Sequence, residues 1–238
     1  YNYEVIWQTA NLGVAFGVSV ARTVIAAILN VFLTAMVAYT LIRQDFVLKR
    51  FVTIISVLTM YVNAGLIPGY LLNRSLGLLN NFWVYILPGL VSAFDLIIVR
   101  TYMRTIPGSL IESAQIDGAG EFTIFVKVIL PLAMPVLATV ALFVAVAQWN
   151  SWFDTYIYCG SAKNLTTLQY ELMKALSTSM NQSGSTANVQ NATQAANQVT
   201  PTSIRAAITI VAAVPILCVY PFLQKYFVQG MTLGSVKE

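Results

Sequence analysis

Charged side chains are concentrated in one internal stretch of this chain, residues 109–135. Only 9% of the 238 residues are charged. Yet Glu112, Asp117, Glu121 and Lys127 all lie within sixteen residues. Carboxylates and an ammonium group spaced in this way suit ion pairs and charge-assisted hydrogen bonds with a partner in water. The stretch therefore predicts a docking surface and not a reaction centre.

Catalytic and metal-binding groups are scarce in the rest of the sequence. The chain has no histidine, so it lacks the commonest general base and the commonest metal ligand. Cys159 and Cys218 show no metal-ligand spacing and predict no disulfide. We therefore predict no catalytic residue, no metal site and no cofactor bound by this chain.

Asp95 is an ionisable residue inside an apolar window. A carboxylate within a membrane span is costly and suggests a function or a partner. Asp95 also lies only five residues before Arg100, near the expected cytoplasmic end of the window. A structural polar contact explains it equally well, so a pathway role and a structural role both stay open.

Aromatic residues gather after the fourth long apolar window. They are Trp149, Trp152, Phe153 and Tyr156, with the polar Asn150 among them. Such a group is typical of the aromatic belt at a membrane interface. It also suits a surface that stacks on sugars or binds a partner at the mouth of a pathway.

The elements that must position these residues are long apolar helices. The chain is 58% hydrophobic with a mean hydropathy of +0.72, which is far from the composition of a soluble domain. We predict an all-α, polytopic membrane protein with one domain over residues 1–238. The predicted spans are Thr23–Ile42, Phe51–Asn73, Trp83–Val99, Val128–Phe153 and Ala206–Gln224. The preceding segment, Val5–Val20, is either an interfacial helix or an extension of the first span.

The distribution of lysine and arginine predicts the orientation. If the spans alternate, eight basic residues fall on one side: Arg43, Lys49, Arg50, Arg100, Arg104, Lys127, Lys225 and Lys237. The other side receives five: Arg22, Arg74, Lys163, Lys174 and Arg205. The loop at 106–122 and the carboxyl terminus should therefore be cytoplasmic, and the loop at 154–204 external. In the external loop we predict a helix over Leu168–Leu176 and a solvated loop over Ser177–Thr200.

The cytoplasmic loop predicts a short helix between two turns. Ser109 suits the N-cap, and Glu112 follows three residues later as in a capping box. Gly118 is expected to supply the left-handed residue that ends the helix. Gly120 permits a second bend before the next helix, which we expect to start at Phe122. Such a helix is either a surface connector or a knob that fits a groove on a cytosolic protein.

The pattern E-S-A-x-x-D-G-A, followed by L-P-L-x-x-P, resembles the EAA loop of binding-protein-dependent ABC import permeases. Ser113 replaces the alanine that is usual at the second motif position. The resemblance implies that this loop couples the chain to an ATPase. The positions that match the motif are Glu112, Ala114, Asp117, Gly118, Ala119, Pro131 and Pro135. The residues expected to couple to the ATPase are Ser109, Glu112, Ser113, Ala114, Asp117, Gly118 and Ala119.

The resemblance also implies a type I importer fold and a set of partners in a bacterial inner membrane. These partners are a second permease subunit forming a heterodimer, a pair of ATPase subunits that bind ATP and magnesium, and an external solute-binding protein. No nucleic acid is expected. Family members usually have six helices, so we expect the first to be absent from this chain.

The stretch at 73–107 is similar to the maltose-type permeases, and among them to the lipoprotein-associated polysaccharide subgroup. An oligosaccharide substrate is therefore expected, with an anionic one such as alginate as the specific prediction. Arg22 and Arg74, both near the external side, would favour anions or would simply set the orientation. The predicted pathway residues are Asp95, Trp149, Asn150, Trp152 and Tyr156.

Other functions remain open at this point. An ion-coupled secondary transporter would need intramembrane carboxylates, and only Asp95 qualifies. An ABC permease for a solute other than a sugar would share the same loop. A membrane enzyme is disfavoured because histidine and paired acids are lacking. The sequence contains no G-x-x-x-x-G-K-[ST] phosphate loop, so ATP hydrolysis is expected in a partner.

Overall fold

The computed structural model describes residues 12–184 together with Ile210 and Leu217, and side chains within the first range as far as Ser177. Within this part of the chain all regular structure is helical. The helices are α1 Leu12–Ile42, α2 Lys49–Tyr61, α3 Leu66–Ser75, α4 Ala93–Met103, α5 Gly108–Ile116, α6 Glu121–Leu132, α7 Met134–Asn150, α8 Phe153–Tyr158 and α9 Leu168–Gly184. The predicted fifth span, 206–224, and the rest of the predicted external loop, 185–204, lie outside the described residues.

Helix α1 is the central helix of the fold. It is unbroken from Leu12, so the segment before Thr23 extends the first span from that residue onward. Its buried stripe consists largely of small or polar residues: Ala15, Ser19, Arg22, Ala26, Asn30, Thr34, Ala35 and Ala38. Val24, Ile28 and Phe32 on other faces are exposed. This arrangement is typical of membrane helices, which associate through small and polar residues because lipid is as apolar as leucine.

Two further spans are bent pairs of helical segments. The short 3₁₀ turns over Phe82–Gly89 and helix α4 meet at 51°, and α6 meets α7 at 80°. In the described part of the chain, α1 alone is long and apolar enough to cross a membrane as one helix, and counting each bent pair as one span raises the number to three. Pro131 and Pro135 flank the second bend, and each removes a helical hydrogen bond.

The prediction of one continuous helix over 51–73 is wrong. Helix α2 ends at Tyr61, Val62 has an extended backbone, and α3 begins only at Leu66. Gly65 has φ +88°, and its N–H donates to Asn63 Oδ1 at 2.8 Å. Asn63 and Gly65 do interrupt the apolar run, but the predicted span was defined by its lack of charged residues, which these two residues do not alter.

Two helices, α8 and α9, lie almost entirely in the segment 154–204 that the sequence predicted to be an external loop. The predicted helix at 168–176 is confirmed, but it continues to Gly184, so the predicted loop is wrong for residues 177–184. Helix α9 is tied to α1 by a buried hydrogen bond from the Leu168 N–H to Ser19 Oγ at 2.8 Å. This bond caps the first turn of α9 with a side chain from another helix.

The largest buried cluster lies where α1, α4, α5, α6 and α7 converge. Tyr39, Val99, Ile111, Phe125 and Val140 are among its buried members. The cluster packs the loop helix α5 against the spans. The position of that loop is therefore fixed by packing as well as by its own turns.

Candidate functional site

The loop helix α5 begins two residues earlier than its sequence suggested, with its N-cap at residue 107 instead of 109. Pro107 occupies the N-cap position with φ −59°, and no side chain caps the helix. Ser109 lies inside the first turn, so the predicted Ser109–Glu112 capping box is wrong. The physical reason is that Pro107 already has the fixed φ that helix entry needs, and its carbonyl accepts the Leu110 N–H at 3.2 Å.

The end of α5 is as predicted at Gly118. This residue has φ +77°, a conformation that glycine adopts without a steric cost. The N–H of Gly118 donates to Gln115 O at 3.0 Å, and the N–H of Ala119 donates to Ala114 O at 3.0 Å. These two bonds form a Schellman motif, which satisfies carbonyls at the helix end. Gly120 then precedes α6, which starts at Glu121 rather than Phe122.

Glu121 connects the loop to α1 by hydrogen bonds with Tyr39, Arg43 and Gln115, and we call these four residues the Glu121 joint. One carboxylate oxygen accepts from the Tyr39 hydroxyl at 2.7 Å. The other accepts from Arg43 Nη2 at 2.8 Å and from Gln115 Nε2 at 3.0 Å. The Tyr39 hydrogen bond, aided by Gln115 and Arg43, lowers the pKa of Glu121 despite partial burial. The joint therefore holds a charged carboxylate between α1, α5 and α6.

Helix α5 has an inner and an outer face. Ile111 packs into the main cluster, whereas Glu112 is exposed and Ile116 and Phe122 are 86% and 65% exposed. Of the other residues expected to couple, Ser109, Ser113, Asp117 and Gly118 are exposed, and Ala114 and Ala119 are half-buried. Glu112 also borders a polar cleft of about 270 Å³ between α5 and the connection after α1. The outer face thus offers charge and apolar side chains together.

A buried ion pair lies near the other end of α1. Arg22 is 2% exposed and its guanidinium bonds to Asp154 Oδ2. It also donates to Gln148 Oε1 at 2.5 Å and to the Ser151 carbonyl at 3.4 Å. The guanidinium carbon lies 4.5 Å from the centre of the Tyr85 ring, within the range of a cation–π contact. Because Asp154 neutralises it, Arg22 is not the free positive charge that an anion site on the external side would require.

The five predicted pathway residues separate into three places. Trp152 and Tyr156 share a largely apolar cavity of about 430 Å³ with Tyr170 and Met173 of α9. Asp95 lines a different cavity of about 270 Å³. It lies in the first turn of α4, at the bend in its span, and not near the end of that span as the sequence suggested.

The other two predicted pathway residues have structural contacts. Trp149 is 8% exposed and packs edge-on against Phe16 of α1, with ring centres 6.0 Å apart. Asn150 Nδ2 donates to the Val146 carbonyl of its own helix at 3.0 Å. Its Oδ1 accepts from Gln169 Nε2 at 3.5 Å. Among the described residues, no group of three or more potential ligands that would suit a metal ion is present.

The sequence matches the family described as the binding-protein-dependent transport system inner membrane component over residues 5–233. The chain belongs to this family. Its all-helical fold and its loop between α4 and α6 agree with that membership. It is thus an inner membrane component of a transport system, and the ion-coupled and enzymatic alternatives are not favoured.

Particular relatives are named for polysaccharides or their transport. The polygalacturonan/rhamnogalacturonan transport system permease protein YtcP of Bacillus subtilis (strain 168) is 37% identical, over 99% of this chain and 80% of that protein. Protein LplC of the same organism is 37% identical, over 99% and 78%. A crystal structure of a bacterial ABC transporter involved in import of the acidic polysaccharide alginate has a TM-score of 0.80 at 29% identity, covering 94% of this chain and 78% of that one.

Proposed function

We propose that this chain is a permease subunit of an ATP-driven importer and forms half of the translocation pathway for an oligosaccharide. Family membership and the similarity to transporters of polygalacturonan and alginate support this function. An acidic oligosaccharide such as alginate rests on that similarity and on Arg74, which is exposed in the last turn of α3, because Arg22 is paired with Asp154. A second permease subunit completes the pathway, and a soluble binding protein delivers the sugar from outside.

The observation that carries the coupling proposal is the Glu121 joint. The exposed outer face of α5 is available to a cytosolic ATPase, which supplies ATP hydrolysis with its own ATP and magnesium. Force on this face reaches α1 through three hydrogen bonds that converge on one carboxylate. Loop 106–122 would then be cytoplasmic, in agreement with the basic residues Arg43 and Arg104 nearby.

The proposed substrate pathway runs between the two cavities. Trp152 and Tyr156 offer aromatic faces at the external cavity, where sugars stack. Asp95 lies at the inner cavity. Trp149 and Asn150 would act on the pathway by holding the end of α7 in place. The exposed surface of α2, which buries none of its residues, supports contact with lipid or with the second permease subunit.

The test of this function is ATPase coupling in the purified complex with its ATPase and binding protein. Glu112→Lys places a wrong charge on the outer face of α5, and Gly118→Val forces a β-branched residue into φ +77°. Both variants should assemble, hydrolyse ATP at the basal rate, and lose sugar-stimulated hydrolysis together with uptake. Persistence of stimulated hydrolysis and coupled uptake in both variants would refute the docking role.

Matched controls separate docking from general damage. Glu171→Lys makes the same charge reversal on the external helix α9. Gly120→Val places the same side chain at a glycine with an ordinary φ of −70° and with open space around a Cβ. Both controls should keep coupled uptake. Uptake driven by an ion gradient without an ATPase would instead support a secondary transporter.

A further inference from the structure

The cavity beside Asp95 lies deep between the two ends of α1. Asn30 of α1 lines it, eight residues after Arg22 and thirteen before Arg43. At 1.5 Å per residue these separations are about 12 Å and about 20 Å along the helix. The cavity therefore lies at membrane depth. A polar cavity at this depth faces protein or a water-filled path, because lipid cannot satisfy its polar groups.

Asp95 is buried at the wall of this cavity, at the amino-terminal end of α4. The residue is 6% exposed and lies in the first turn of α4, whose N-cap is Ser92. Ser92 Oγ accepts the Asp95 N–H at 3.4 Å. The positive end of the helix dipole favours a negative group here. A carboxylate offers about four acceptor sites, so the contact with Ser92 leaves acceptor capacity toward the cavity.

The amide groups around the cavity are already engaged. Asn30 Nδ2 donates to the Gly89 carbonyl at 3.0 Å, and its Oδ1 accepts from Thr34 at 3.4 Å. Gln148 accepts from Arg22 and donates to the Tyr85 carbonyl at 3.4 Å. Among the described residues that line this cavity, Asp95 is therefore the one whose side chain is an acidic group with acceptor sites still available. Hydroxyl groups are the donors that suit it.

We propose that Asp95 accepts hydrogen bonds from the hydroxyl groups of an uncharged sugar unit in transit and disfavours a uronate unit at this point. This inference rests on the proposed function. No lysine or arginine is among the described residues that line the cavity, and Asp154 neutralises Arg22 behind Gln148. A volume of about 270 Å³ is just below the usual lower end for ligand pockets, about 300 Å³, which suits one sugar unit.

The proposed role of Asp95 predicts a preference for an uncharged sugar unit at this residue. Similarity alone would predict an acidic one, because the solved relative is involved in the import of an acidic polysaccharide. The experiment uses the whole complex in proteoliposomes and two matched substrates. These are an oligogalacturonide of fixed length and its fully methyl-esterified, uncharged form. Initial uptake of each is measured at saturating binding protein. The binding protein is the same for the unmodified chain and for the Asp95 variants. Its own preference therefore cancels when the ratio of neutral to acidic uptake is compared between them.

Asp95→Asn keeps the side-chain shape and removes the charge. We expect the neutral-to-acidic ratio to fall by about tenfold, because two like charges a few ångströms apart in a protein repel by at least the corresponding free energy. Asp95→Ser, which also removes the charge and leaves the Ser92 N-cap of α4 in place, should give the same direction of change. Asp95→Glu and the distant Glu171→Gln should leave the ratio unchanged.

Failure of this inference is distinguishable from failure of the proposed function. An unchanged ratio in Asp95→Asn and Asp95→Ser, or an equal loss of both substrates, would overturn the role of Asp95 while the importer function stands. The role is also overturned if both neutral variants fail to assemble and Asp95→Glu assembles, because the charge is then structural. If a panel of neutral and acidic oligosaccharides neither enters nor stimulates ATP hydrolysis with the unmodified chain, the proposed function itself fails.

Discussion

Removal of the Glu121 carboxylate should uncouple the loop from α1 without unfolding the chain. In Glu121→Ala the Tyr39 hydroxyl loses its acceptor, and Tyr39 is only 6% exposed. An unsatisfied buried hydroxyl costs about 1–3 kcal/mol. The ion pair with Arg43 is worth at most about 1 kcal/mol, because the Glu121 side chain is 54% exposed. The joint should therefore weaken by about 2–3 kcal/mol.

A loss of about 2 kcal/mol shifts the equilibrium between a held and a detached loop by about 30-fold. We expect the variant complex to keep its basal ATP hydrolysis, since hydrolysis belongs to the ATPase. Stimulation by the sugar-loaded binding protein and sugar uptake should both fall. The assay is the ratio of sugar molecules imported to ATP hydrolysed in proteoliposomes, measured beside the thermal unfolding midpoint of the purified complex.

A double-mutant cycle tests whether Tyr39 and Glu121 act as one unit. Tyr39→Phe and Glu121→Ala should each lower the unfolding free energy, and the double variant should lose about 1–2 kcal/mol less than their sum. Asp45→Asn is the control, because Asp45 is an exposed partner of the same Arg43 at 3.3 Å and should change little. Additive effects of Tyr39→Phe and Glu121→Ala, or an equally large effect of Asp45→Asn, would refute the joint.

Three further sets of substitutions probe the Arg22 ion pair, the aromatic residues that follow α7 and the broken span. Arg22→Met should lower the unfolding free energy by about 1–3 kcal/mol, because Asp154, whose side chain is 37% exposed, loses its cation and the Gln148 Oε1 atom loses its donor. Adding Asp154→Leu should restore part of that loss in a thermal unfolding assay. Alanine at Trp152 or Tyr156 should reduce uptake severalfold while basal ATP hydrolysis is retained, and unchanged uptake would remove both from the pathway. Gly65→Val should lower the thermal midpoint through about 1–3 kcal/mol of backbone strain, since Gly65 has φ +88°.

The parts of the loop that were predictable depend on local conformation. Gly118 was identifiable because a left-handed residue must end a helix of this kind, and glycine adopts that conformation without cost. Ser109 was misassigned because serine is a good N-cap in general, while Pro107 had already set the start of this helix. Glu121 was noticed as a charge, but nothing near it in sequence indicated Tyr39, which is 82 residues away.

Three of the predicted windows, 23–42, 83–99 and 128–153, coincide with candidate spans in the described part of the chain, but their shape was not predictable. Hydropathy averages over about twenty residues, so it does not detect the four-residue interruption between Tyr61 and Leu66 or the 80° bend between α6 and α7. The same limit applies to Arg22. A single arginine at a window edge looks like an orientation signal, and its partner Asp154 is 132 residues further along the chain.

Helix α1 connects both ends of the proposed mechanism. Arg22 and Ser19 attach helices α8 and α9 to it, Asn30 lines the cavity beside Asp95, and Tyr39 and Arg43 attach the loop 106–122 near its other end. Arg22 and Tyr39 are seventeen residues apart, or about 25 Å along an unbroken helix. We therefore propose that a displacement of the loop reaches the cavity and helices α8 and α9 as movement of one rigid element. On this view no relay of contacts through the bent spans is required, and weakening either attachment of α1 should reduce uptake more than it reduces basal ATP hydrolysis.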